Sequence, residues 1–264
     1  MTRHPLAGLT ATWLGHATVV LDLGGTRIVT DPVLRRRVGP LRRIGPEPDP
    51  RAYAGAHVAL ISHLHHDHAD LPSLRRLGAP VVLSGDSNAR WLTARLGGAG
   101  RGLAPGEWTT IDGGSGATVE VMLVRADHHS RPMPHRPNAA HGFLIRGDFG
   151  VCWFAGDTAL FPELASLPEL AGGPIDVALV PIGGWGPRLS PGHLDPSGAA
   201  RACAAVGARA VLPIHFGTYY PAGLGLRSLS WAIAPLAAFA DALAAASPHT
   251  VLLRPIRPAH LGAD

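Results

Sequence analysis

The sequence predicts a layered α/β protein in which helices cover the faces of β-sheets. Short apolar runs recur along the chain, and each is ended by a polar cluster, which is typical of buried strands. Segments with helical caps lie between some of these runs. Because 46% of the 264 residues are hydrophobic, the chain has enough apolar surface to close a full core. No stretch has the composition of an interdomain linker, so we expect one domain over residues 1–264.

The first strands are predicted as a hairpin that leads into a third strand. Residues 9–14 and 18–23 are apolar and β-branched, and a third such run covers residues 26–30. Asp31 and the following proline end the third strand. Residues 35–45 then carry five arginines among glycine and proline without helical or strand periodicity, so we predict a loop there.

Further strands and helices alternate along the rest of the chain. Six bounded apolar runs predict buried strands at residues 58–62, 80–83, 119–124, 151–155, 177–180 and 210–214. Three helices begin at aspartate or serine and are followed by glycine, at residues 70–77, 87–96 and 195–206. The alanine-rich stretch at residues 229–246 contains Pro235 and Asp241, so we interpret it as a buried helix rather than a membrane span.

Composition excludes several classes of protein. All 23 residues of the Lys+Arg total are arginine against 19 acidic residues, and the net charge of +4 suits an anionic substrate without requiring one. The N-terminus lacks the apolar run of a secretory signal, so we expect a cytoplasmic protein. Cys152 and Cys203 lie in apolar contexts and are expected as buried, reduced thiols. Because the basic residues are not interleaved with aromatic residues, nucleic acid is not an expected partner.

The strongest chemical signal is the segment His-Leu-His-His-Asp-His at residues 63–68, between a predicted strand and a predicted helix. Alternate residues at an extended strand end point the same way, so His63 and His65 can share one metal ion. Asp67 and His68 lie past the turn and can face a second metal ion nearby. A solvated histidine-rich loop is the alternative, but the position after a core strand favours a metal site.

Three further residues of ligand type follow predicted strands, namely His128, Asp157 and His215. Strands of one sheet that end together bring such residues to one edge. Each residue alone has another explanation, as a buried histidine bonded to a carbonyl or an aspartate that caps a loop. Because the motif at residues 63–68 needs additional ligands, we expect these three residues to supply them.

This set of residues resembles the metallo-β-lactamase superfamily, whose fold is a four-layer αβ/βα sandwich with a two-metal site. Segments such as Trp13-Leu-Gly-His-Ala-Thr-Val, Phe154-Ala-Gly-Asp-Thr and Leu212-Pro-Ile-His-Phe-Gly-Thr resemble its N-acyl-phosphatidylethanolamine phospholipase D-like branch. The L-ascorbate-6-phosphate lactonases of the superfamily are similar to a lesser degree. The resemblance runs from about Leu9 to Pro258 and implies the same α/β sandwich for this chain.

The resemblance also implies a set of metal ligands. A first metal ion would be held by His63, His65 and His128, a second by Asp67, His68 and His215, and Asp157 would bridge both. Imidazole and carboxylate ligands without a thiolate suit two zinc ions per chain best, with manganese or iron as alternatives. The neighbouring His129 competes with His128 for the motif, and the Ala-x-His spacing favours His128. His66 matches a variable position of the family, so we expect it not to be a ligand. The family often has tyrosine or tryptophan where this chain has His66 and His129, so we expect the mouth of the substrate pocket to differ.

These residues predict a hydrolase. Two adjacent metal ions lower the pKa of a shared water, so that a hydroxide exists near neutral pH and can attack a phosphorus or carbonyl centre. The expected catalytic residues are Asp67, Asp157 and His193. The resemblance places His193 at the substrate, although a structural loop contact is an alternative. His16 and Asp31 are expected behind the ligands, where they would orient them, or in simple turns.

The resemblance favours a phosphodiester substrate that is small or lipid-like and can be anionic. A lactone or carboxylic ester suits the same site, and a metal-binding interaction module is the alternative outside the enzymes. The arginine-rich segment at residues 35–45 could hold a phosphate or acidic headgroup, or it could be a solvated loop. Its arginines are Arg35, Arg36, Arg37, Arg42 and Arg43. Side chains that could contact an apolar part of the substrate, or simply pack, are Trp185, Tyr219, Tyr220 and Leu224. Nothing in the sequence indicates an oligomeric state.

Overall fold

Two seven-stranded β-sheets pack face to face, and helices cover the outer face of each sheet. The computed structural model describes residues 3–6, 8–113, 118–128, 136–224 and 230–254, the first of these ranges by its backbone alone. The order of layers is helix, sheet, sheet, helix. This arrangement confirms the predicted four-layer αβ/βα sandwich.

The elements are numbered in chain order. The strands are β1 (Arg3–Leu6), β2 (Leu9–Gly15), β3 (Thr18–Leu23), β4 (Thr26–Thr30), β5 (Arg37–Val38), β6 (Leu41–Arg43), β7 (Val58–Leu60), β8 (Val81–Gly85), β9 (Gly100–Leu103), β10 (Trp108–Asp112), β11 (Thr118–Arg125), β12 (His141–Gly147), β13 (Gly150–Phe154), β14 (Val177–Pro181), β15 (Ala210–Ile214), β16 (Tyr219–Pro221) and β17 (Val251–Leu252). The α-helices are α1 (Leu71–Leu77), α2 (Asp86–Thr93), α3 (Leu167–Ala171), α4 (Pro196–Ala205) and α5 (Ser230–Ala246). Short 3-10 helices cover Pro50–Ala52 and Pro162–Ser166.

The two large sheets follow the same plan. The first has the order β1-β2-β3-β4-β7-β8-β9, antiparallel as far as β4 and parallel beyond it. The second has the order β10-β11-β12-β13-β14-β15-β17, antiparallel as far as β13 and parallel beyond it. Because parallel neighbours end on the same side, each sheet presents several strand ends at one edge. A small antiparallel sheet joins β16, β6 and β5.

Side chains alternate between two cores along the strands, as the period of two requires. On β11, Val121 and Leu123 lie in the core between the two sheets, whereas Met122 packs against the helices outside the second sheet. On β4, Ile28 lies in the central core and Val29 packs on the side of α1 and α2. The helices therefore cover an apolar outer face on both sheets.

The two cysteines are buried in different cores and are not bonded to each other. Cys152 lies between the sheets, and Cys203 lies on α4 against the second sheet. Burial raises the pKa of both thiols to about 12. The prediction of two buried, reduced thiols is confirmed.

The predicted helix caps are found on two of the three helices. The Asp70 side chain accepts a hydrogen bond from the backbone N–H of Ser73 at the start of α1, and Asp195 does the same for Gly198 at the start of α4. Helix α2 ends at Thr93, three residues before its predicted end. The Thr93 hydroxyl contacts the carbonyl oxygens of Ala89 and Gly100, and this local contact turns the chain toward β9.

The prediction of a loop over residues 35–45 is wrong in part, because the segment contains the hairpin of β5 and β6. This hairpin is paired with β16, whose residues lie far along the chain and give no local signal. The sequence also did not predict β1, β9, β10, β12 or β17. Strand β12 is central to its sheet, but its apolar run is only three residues long, Phe143–Ile145.

The alanine-rich helix α5 has one buried face rather than being buried throughout. Its buried side chains are Ala232, Phe239 and Leu243, and the other side chains of the helix are exposed or half-buried. The predicted first residue of this helix, Leu229, lies outside the described residues. Across the part of the chain that the structure describes, no helix is both long and apolar enough to cross a bilayer.

Candidate metal centre

Polar side chains from both large sheets converge where their strands end. Asp31 follows β4, and residues 63–68 lie between β7 and α1. From the second sheet, His128 follows β11, Asp157 follows β13 and His215 follows β15. The structure therefore brings all seven predicted ligands into one cluster at this edge.

The first group in the cluster consists of His63, His65 and His128, whose nearest ligand-type atoms all lie within 4.8 Å of one another. The Nε2 atom of His63 lies 2.9 Å from Nδ1 of His65. The Nε2 atom of His128 lies 3.4 Å from the same Nδ1 atom. Three ring nitrogens thus face a common point.

The second group consists of Asp67, His68 and His215, with His16 beside them. The Nε2 atoms of His68 and His215 lie 3.0 Å apart, and each lies 3.7 Å from Oδ2 of Asp67. His16 is 1% exposed, and its Nε2 atom lies 2.9 Å from the same carboxylate oxygen. The same oxygen faces His68 and His215, so His16 contacts Asp67 within this group, whereas the sequence predicted a position behind the ligands.

Asp157 lies between the two groups. Its Oδ2 atom is 3.1 Å from Nε2 of His68 and 3.8 Å from Nε2 of His63, and its Oδ1 atom is 3.2 Å from Nε2 of His215. Gly156 permits this approach, because a Cβ atom there would lie 2.7 Å from Cβ of Ser62. One carboxylate thus contacts rings from both groups.

The histidine rings are oriented by hydrogen bonds on their far sides. Nδ1 of His128 donates to the carbonyl of Gly192, and Nδ1 of His215 donates to the carbonyl of Gly183, both at 2.9 Å. Nδ1 of His68 donates to the carboxylate of Asp31 at 2.6 Å. Each bond leaves Nε2 directed into the cluster, which is the arrangement that metal-ligating histidines adopt.

A divalent cation fits this set of donors. In a neutral ring whose Nδ1 carries the proton, Nε2 holds a lone pair, so His128 and His215 present acceptors to the cluster. Asp157 Oδ1 is buried and accepts no hydrogen bond from the residues that the structure describes, although the His215 ring is close. Lone pairs that face one another without a donor are costly unless a cation lies among them. Imidazole nitrogen and carboxylate oxygen are suitable ligands for such an ion.

Electrostatic effects also favour positive charge in the cluster. Burial opposes ionisation of His68, but Asp157, Asp67 and Asp31 outweigh it and raise its pKa well above the ordinary value. Burial opposes the charge of Asp157 as well, but His215 and His68 hold its pKa well below the ordinary value. Burial opposes the charge of Asp67 too, but His68 and His16 hold its pKa well below the ordinary value. Asp67 and Asp157 are therefore ionised and attract cations.

Burial keeps other rings of the cluster neutral. It lowers the pKa of His16 to about 3, and the neighbouring His215 adds to this effect. It lowers the pKa of His65 to about 4, and the neighbouring His68 adds to this effect. Burial also lowers the pKa of His63 well below its ordinary value. Neutral imidazole is the form that binds metals, so His63 and His65 are ready to ligate at neutral pH.

Backbone strain coincides with the cluster. In the described part of the chain, the residues other than glycine with positive φ are His16 (54°), Asp31 (31°) and His215 (61°). Their backbones are held by hydrogen bonds, including His215 N–H to the His16 carbonyl at 2.9 Å and Asp31 N–H to the Leu60 carbonyl at 2.8 Å. Such strain is typical of functional sites, where surrounding contacts outweigh its cost.

A pocket of about 320 Å³ opens above the cluster, a size typical of small-molecule sites. Its polar lining includes His65, Asp67, Asp157, His193 and His215. The loop at residues 184–190 contributes Trp185 and Arg188, and the turn of the β5–β6 hairpin contributes Pro40. His193 Nε2 lies 3.3 Å from Asp157 Oδ2, so this histidine reaches the cluster and the pocket together.

The remaining sequence candidates fall into two sets. Trp185 and the exposed His66 line the pocket. Tyr219 and Tyr220 are 1% and 3% exposed, respectively, and pack in the interior, and neither lines the pocket. Leu224 is 45% exposed and is not part of the pocket lining. His129, the alternative to His128, lies outside the described residues.

The sequence did not reveal the side chains that hold the motif in place. Leu64 lies in the middle of the motif, and its N–H donates to Asn138 Oδ1 at 2.6 Å while its carbonyl accepts from Arg136 Nη1 at 2.9 Å. The Arg136 guanidinium lies 4.6 Å from the ring centre of Trp91 on α2. Asn138 and Arg136 lie in an irregular segment with no periodicity, and no local pattern could have identified them.

Three comparisons with known proteins agree with this geometry. The chain matches the family described as the Beta-lactamase superfamily domain over residues 26–216. It is 30% identical over 244 residues to N-acyl-phosphatidylethanolamine-hydrolyzing phospholipase D 1 of Caenorhabditis elegans, which covers 82% of this chain and 66% of the relative. A metal-dependent hydrolase of Thermococcus kodakarensis is 33% identical over 217 residues, covering 79% of this chain and 85% of the relative. The structure of a metallo hydrolase from Ignicoccus hospitalis has a TM-score of 0.60 at 26% identity, covering 79% of this chain and 82% of that one.

The fold, the histidine and aspartate cluster and the family match together define the class of protein. The family match covers more than half of the chain. The chain belongs to the metallo-β-lactamase superfamily. It spans just under two thirds of the length of the nematode phospholipase.

The lowered histidine pKa values predict an acid-sensitive metal-free protein. Between about pH 4 and pH 6.5, unfolding lets His16 and His65 take up protons that their folded environment excludes, so the free energy of unfolding falls as the pH falls. Asp31 opposes this trend, because its raised pKa lets the folded state hold a proton that the unfolded state has lost. The raised pKa of His68 changes the stability only above pH 6.5, where the unfolded state loses its proton. Each histidine contributes a slope of about 1.4 kcal/mol per pH unit where its protonation differs between the two states.

Urea unfolding of chelator-treated protein across this pH range measures the slope. We expect His65→Gln to lower the slope by about 1.4 kcal/mol per pH unit, the contribution of one proton. His249→Gln, at an exposed position, is the control and should keep the native slope. Equal slopes in the two variants would show that His65 is not held neutral by its burial.

Proposed function

We propose that this chain is a binuclear metallohydrolase that cleaves phosphodiesters. The observation that carries the proposal is the position of Asp157, whose two carboxylate oxygens lie within 3.2 Å of His68 and His215 while one also faces His63. A carboxylate shared between two groups of ligands suits a pair of adjacent metal ions. Asp157 and His215 also line the pocket.

We assign the ligands to two ions as follows. His63, His65 and His128 would hold the first ion, Asp67, His68 and His215 would hold the second, and Asp157 would hold both. Nitrogen and oxygen donors without thiolate favour zinc, with manganese and iron as alternatives. When bound, divalent ions supply Lewis acidity that lowers the pKa of water and neutralise negative charge on a phosphoryl group.

Cationic side chains at the pocket support an anionic substrate. The exposed guanidinium of Arg188 lies at the pocket and has no carboxylate partner among the described residues. Arginine binds phosphate oxygens in a forked geometry, and a phosphodiester carries one negative charge. The chain is similar to a protein named as a phospholipase D, an activity that hydrolyses a phosphodiester bond. This similarity supports the same substrate class.

His193 is positioned to hold a proton at the pocket. Its Nδ1 atom donates to the Ser190 carbonyl at 3.0 Å, and its Nε2 atom faces Asp157 at 3.3 Å. Burial opposes a charge on His193, but the contact with Asp157 outweighs it and raises the pKa of the ring. We assign His193 the role of giving this proton, or a hydrogen bond, to the oxygen of the departing group.

Metal-dependent turnover of a model diester tests the proposed function directly. We expect purified protein loaded with zinc or manganese to release p-nitrophenol from bis(p-nitrophenyl) phosphate, and a chelator to abolish the release, because the proposed chemistry requires bound metal. A continuous absorbance assay measures the rate. Hydrolysis of a lactone or p-nitrophenyl acetate without turnover of the diester would instead support a carboxylic ester hydrolase.

Asp157→Asn tests the shared ligand. Loss of one negative charge between the two groups is expected to reduce bound metal below that of the native protein and to bring diester hydrolysis close to background. Elemental analysis of dialysed protein gives the metal content per chain. Asp241→Asn makes the same chemical change at an exposed position on α5 and serves as the control. Full activity in the Asp157 variant would refute the assignment.

His193→Ala separates catalysis from metal binding. We expect native metal content with kcat lowered roughly 100-fold, which is typical of losing a positioned proton donor. The rate on a diester with a better leaving group should fall less, because such a group needs less protonation. His249→Ala, an exposed histidine, is the control. Loss of metal from the His193 variant would identify His193 as a ligand.

A further inference from the structure

The β5–β6 hairpin next to the pocket carries a concentration of positive charge. We call residues 35–43 the arginine hairpin; they contain Arg35, Arg36, Arg37, Arg42 and Arg43. These five arginines differ in what they contact.

Two of the five arginines have structural partners. Arg35 forms a two-point ion pair with Asp70, with N–O distances of 2.8 and 2.7 Å. Arg43 is 8% exposed and donates to the carbonyl oxygens of Pro46 and Leu14. These contacts tie the hairpin to α1 and to β2, and they satisfy both guanidinium groups.

The other three arginines have no such partners. Within the described residues, the side chains of Arg36, Arg37 and Arg42 make no hydrogen bond, and no carboxylate lies within 4.0 Å of them. Arg37 and Arg42 are also direct cross-strand partners on β5 and β6. Like charges at such positions repel each other and destabilise a hairpin, so this pairing needs a reason other than stability.

A nearby acidic residue is engaged elsewhere. Glu47 borders the same surface, but its Oε2 atom pairs with Arg76 Nη1 at 2.7 Å. Its Oε1 atom accepts a hydrogen bond from the backbone N–H of Arg36 at 2.8 Å. Both oxygens of the carboxylate therefore have partners, and the three guanidinium groups remain uncompensated.

The uncompensated arginines surround an open cavity of about 480 Å³, lined by Arg35, Arg36, Arg37, Arg42 and Glu47. Pro40, in the turn that connects β5 to β6, lines the pocket above the metal cluster. The strands of the hairpin thus border the cavity, and its turn borders the pocket. An anion bound by the arginines would be held beside the entrance to the pocket.

We propose that the arginine hairpin is a binding site for a phosphate group, separate from the metal cluster. Three guanidinium groups around one cavity offer forked donors that match the tetrahedral oxygens of phosphate, and bound phosphate relieves the repulsion between Arg37 and Arg42. The phosphate can belong to a soluble phosphomonoester or to a phospholipid headgroup. The site extends the proposed function but does not depend on it, because it requires neither metal nor turnover.

Paired charge-removing variants test the site. Arg37→Gln with Arg42→Gln removes two charges from the cavity, and Arg90→Gln with Arg201→Gln removes two exposed charges from α2 and α4. Both pairs keep the metal cluster, so any phosphate that binds there contributes equally. Calorimetric titration with inorganic phosphate and with glycerol 3-phosphate measures soluble ligands. Sedimentation with phosphatidylcholine vesicles, with and without phosphatidylglycerol, measures headgroup binding.

We expect the hairpin pair to lose at least about tenfold in affinity for one source of phosphate, while the control pair binds like the native protein. Thermal unfolding should show the hairpin pair to be as stable as the native protein or more so, because a like-charge pair has been removed. Loss with the soluble ligands or with the phosphatidylglycerol vesicles alone would support the site and identify its source of phosphate. Equal binding by the two pairs, or no binding of any probe to the native protein, would overturn the proposal. Diester turnover by the native protein is measured separately, so failure of one proposal leaves the other intact.

Discussion

The candidate metal centre depends on hydrogen bonds made behind its histidine rings. Gly183 and Gly192 accept from His215 and His128, and Asp31 accepts from His68. These bonds determine which nitrogen of each ring faces the cluster, so they determine whether the cluster can ligate at all. Asp31 follows a strand of the first sheet, as His68 does, and the two glycines follow strands of the second sheet, so each half of the molecule orients its own rings.

Three residues at this centre adopt strained backbone conformations. The positive φ angles of His16, Asp31 and His215 each cost on the order of 1–3 kcal/mol. Contacts in the surrounding layers offset the cost: Thr218 Oγ1 accepts from the His16 N–H at 2.6 Å, and Thr18 Oγ1 donates to the Asp31 carbonyl at 2.7 Å. The apolar sandwich therefore supplies the stability that lets ligand-bearing residues adopt conformations they would otherwise avoid.

The sequence predicted the parts of the site that follow from short-range pattern. Residues 63–68 are close in sequence and follow an apolar strand, and His128, Asp157 and His215 repeat that order of strand and polar residue. It could not predict contacts made through space. Arg136 and Asn138 hold Leu64 from an irregular segment, and the β5–β6 hairpin exists because it pairs with β16, which follows β6 by well over one hundred residues. Tyr219 was ambiguous for the same reason, since its hydroxyl accepts a hydrogen bond from Arg43, 176 positions away.

The division of the cluster between the two sheets has a consequence for the whole molecule. Residues 63–68 belong to the first sheet, whereas His128, Asp157 and His215 belong to the second. An ion bound by both sets is a cross-link between two halves that share an apolar core. Any ion that binds the folded chain alone adds stability that grows with the logarithm of its free concentration. The free energy of unfolding of this sandwich would then depend on the free metal concentration around it. At low metal concentration, the contacts between the two sheets would be the first to weaken.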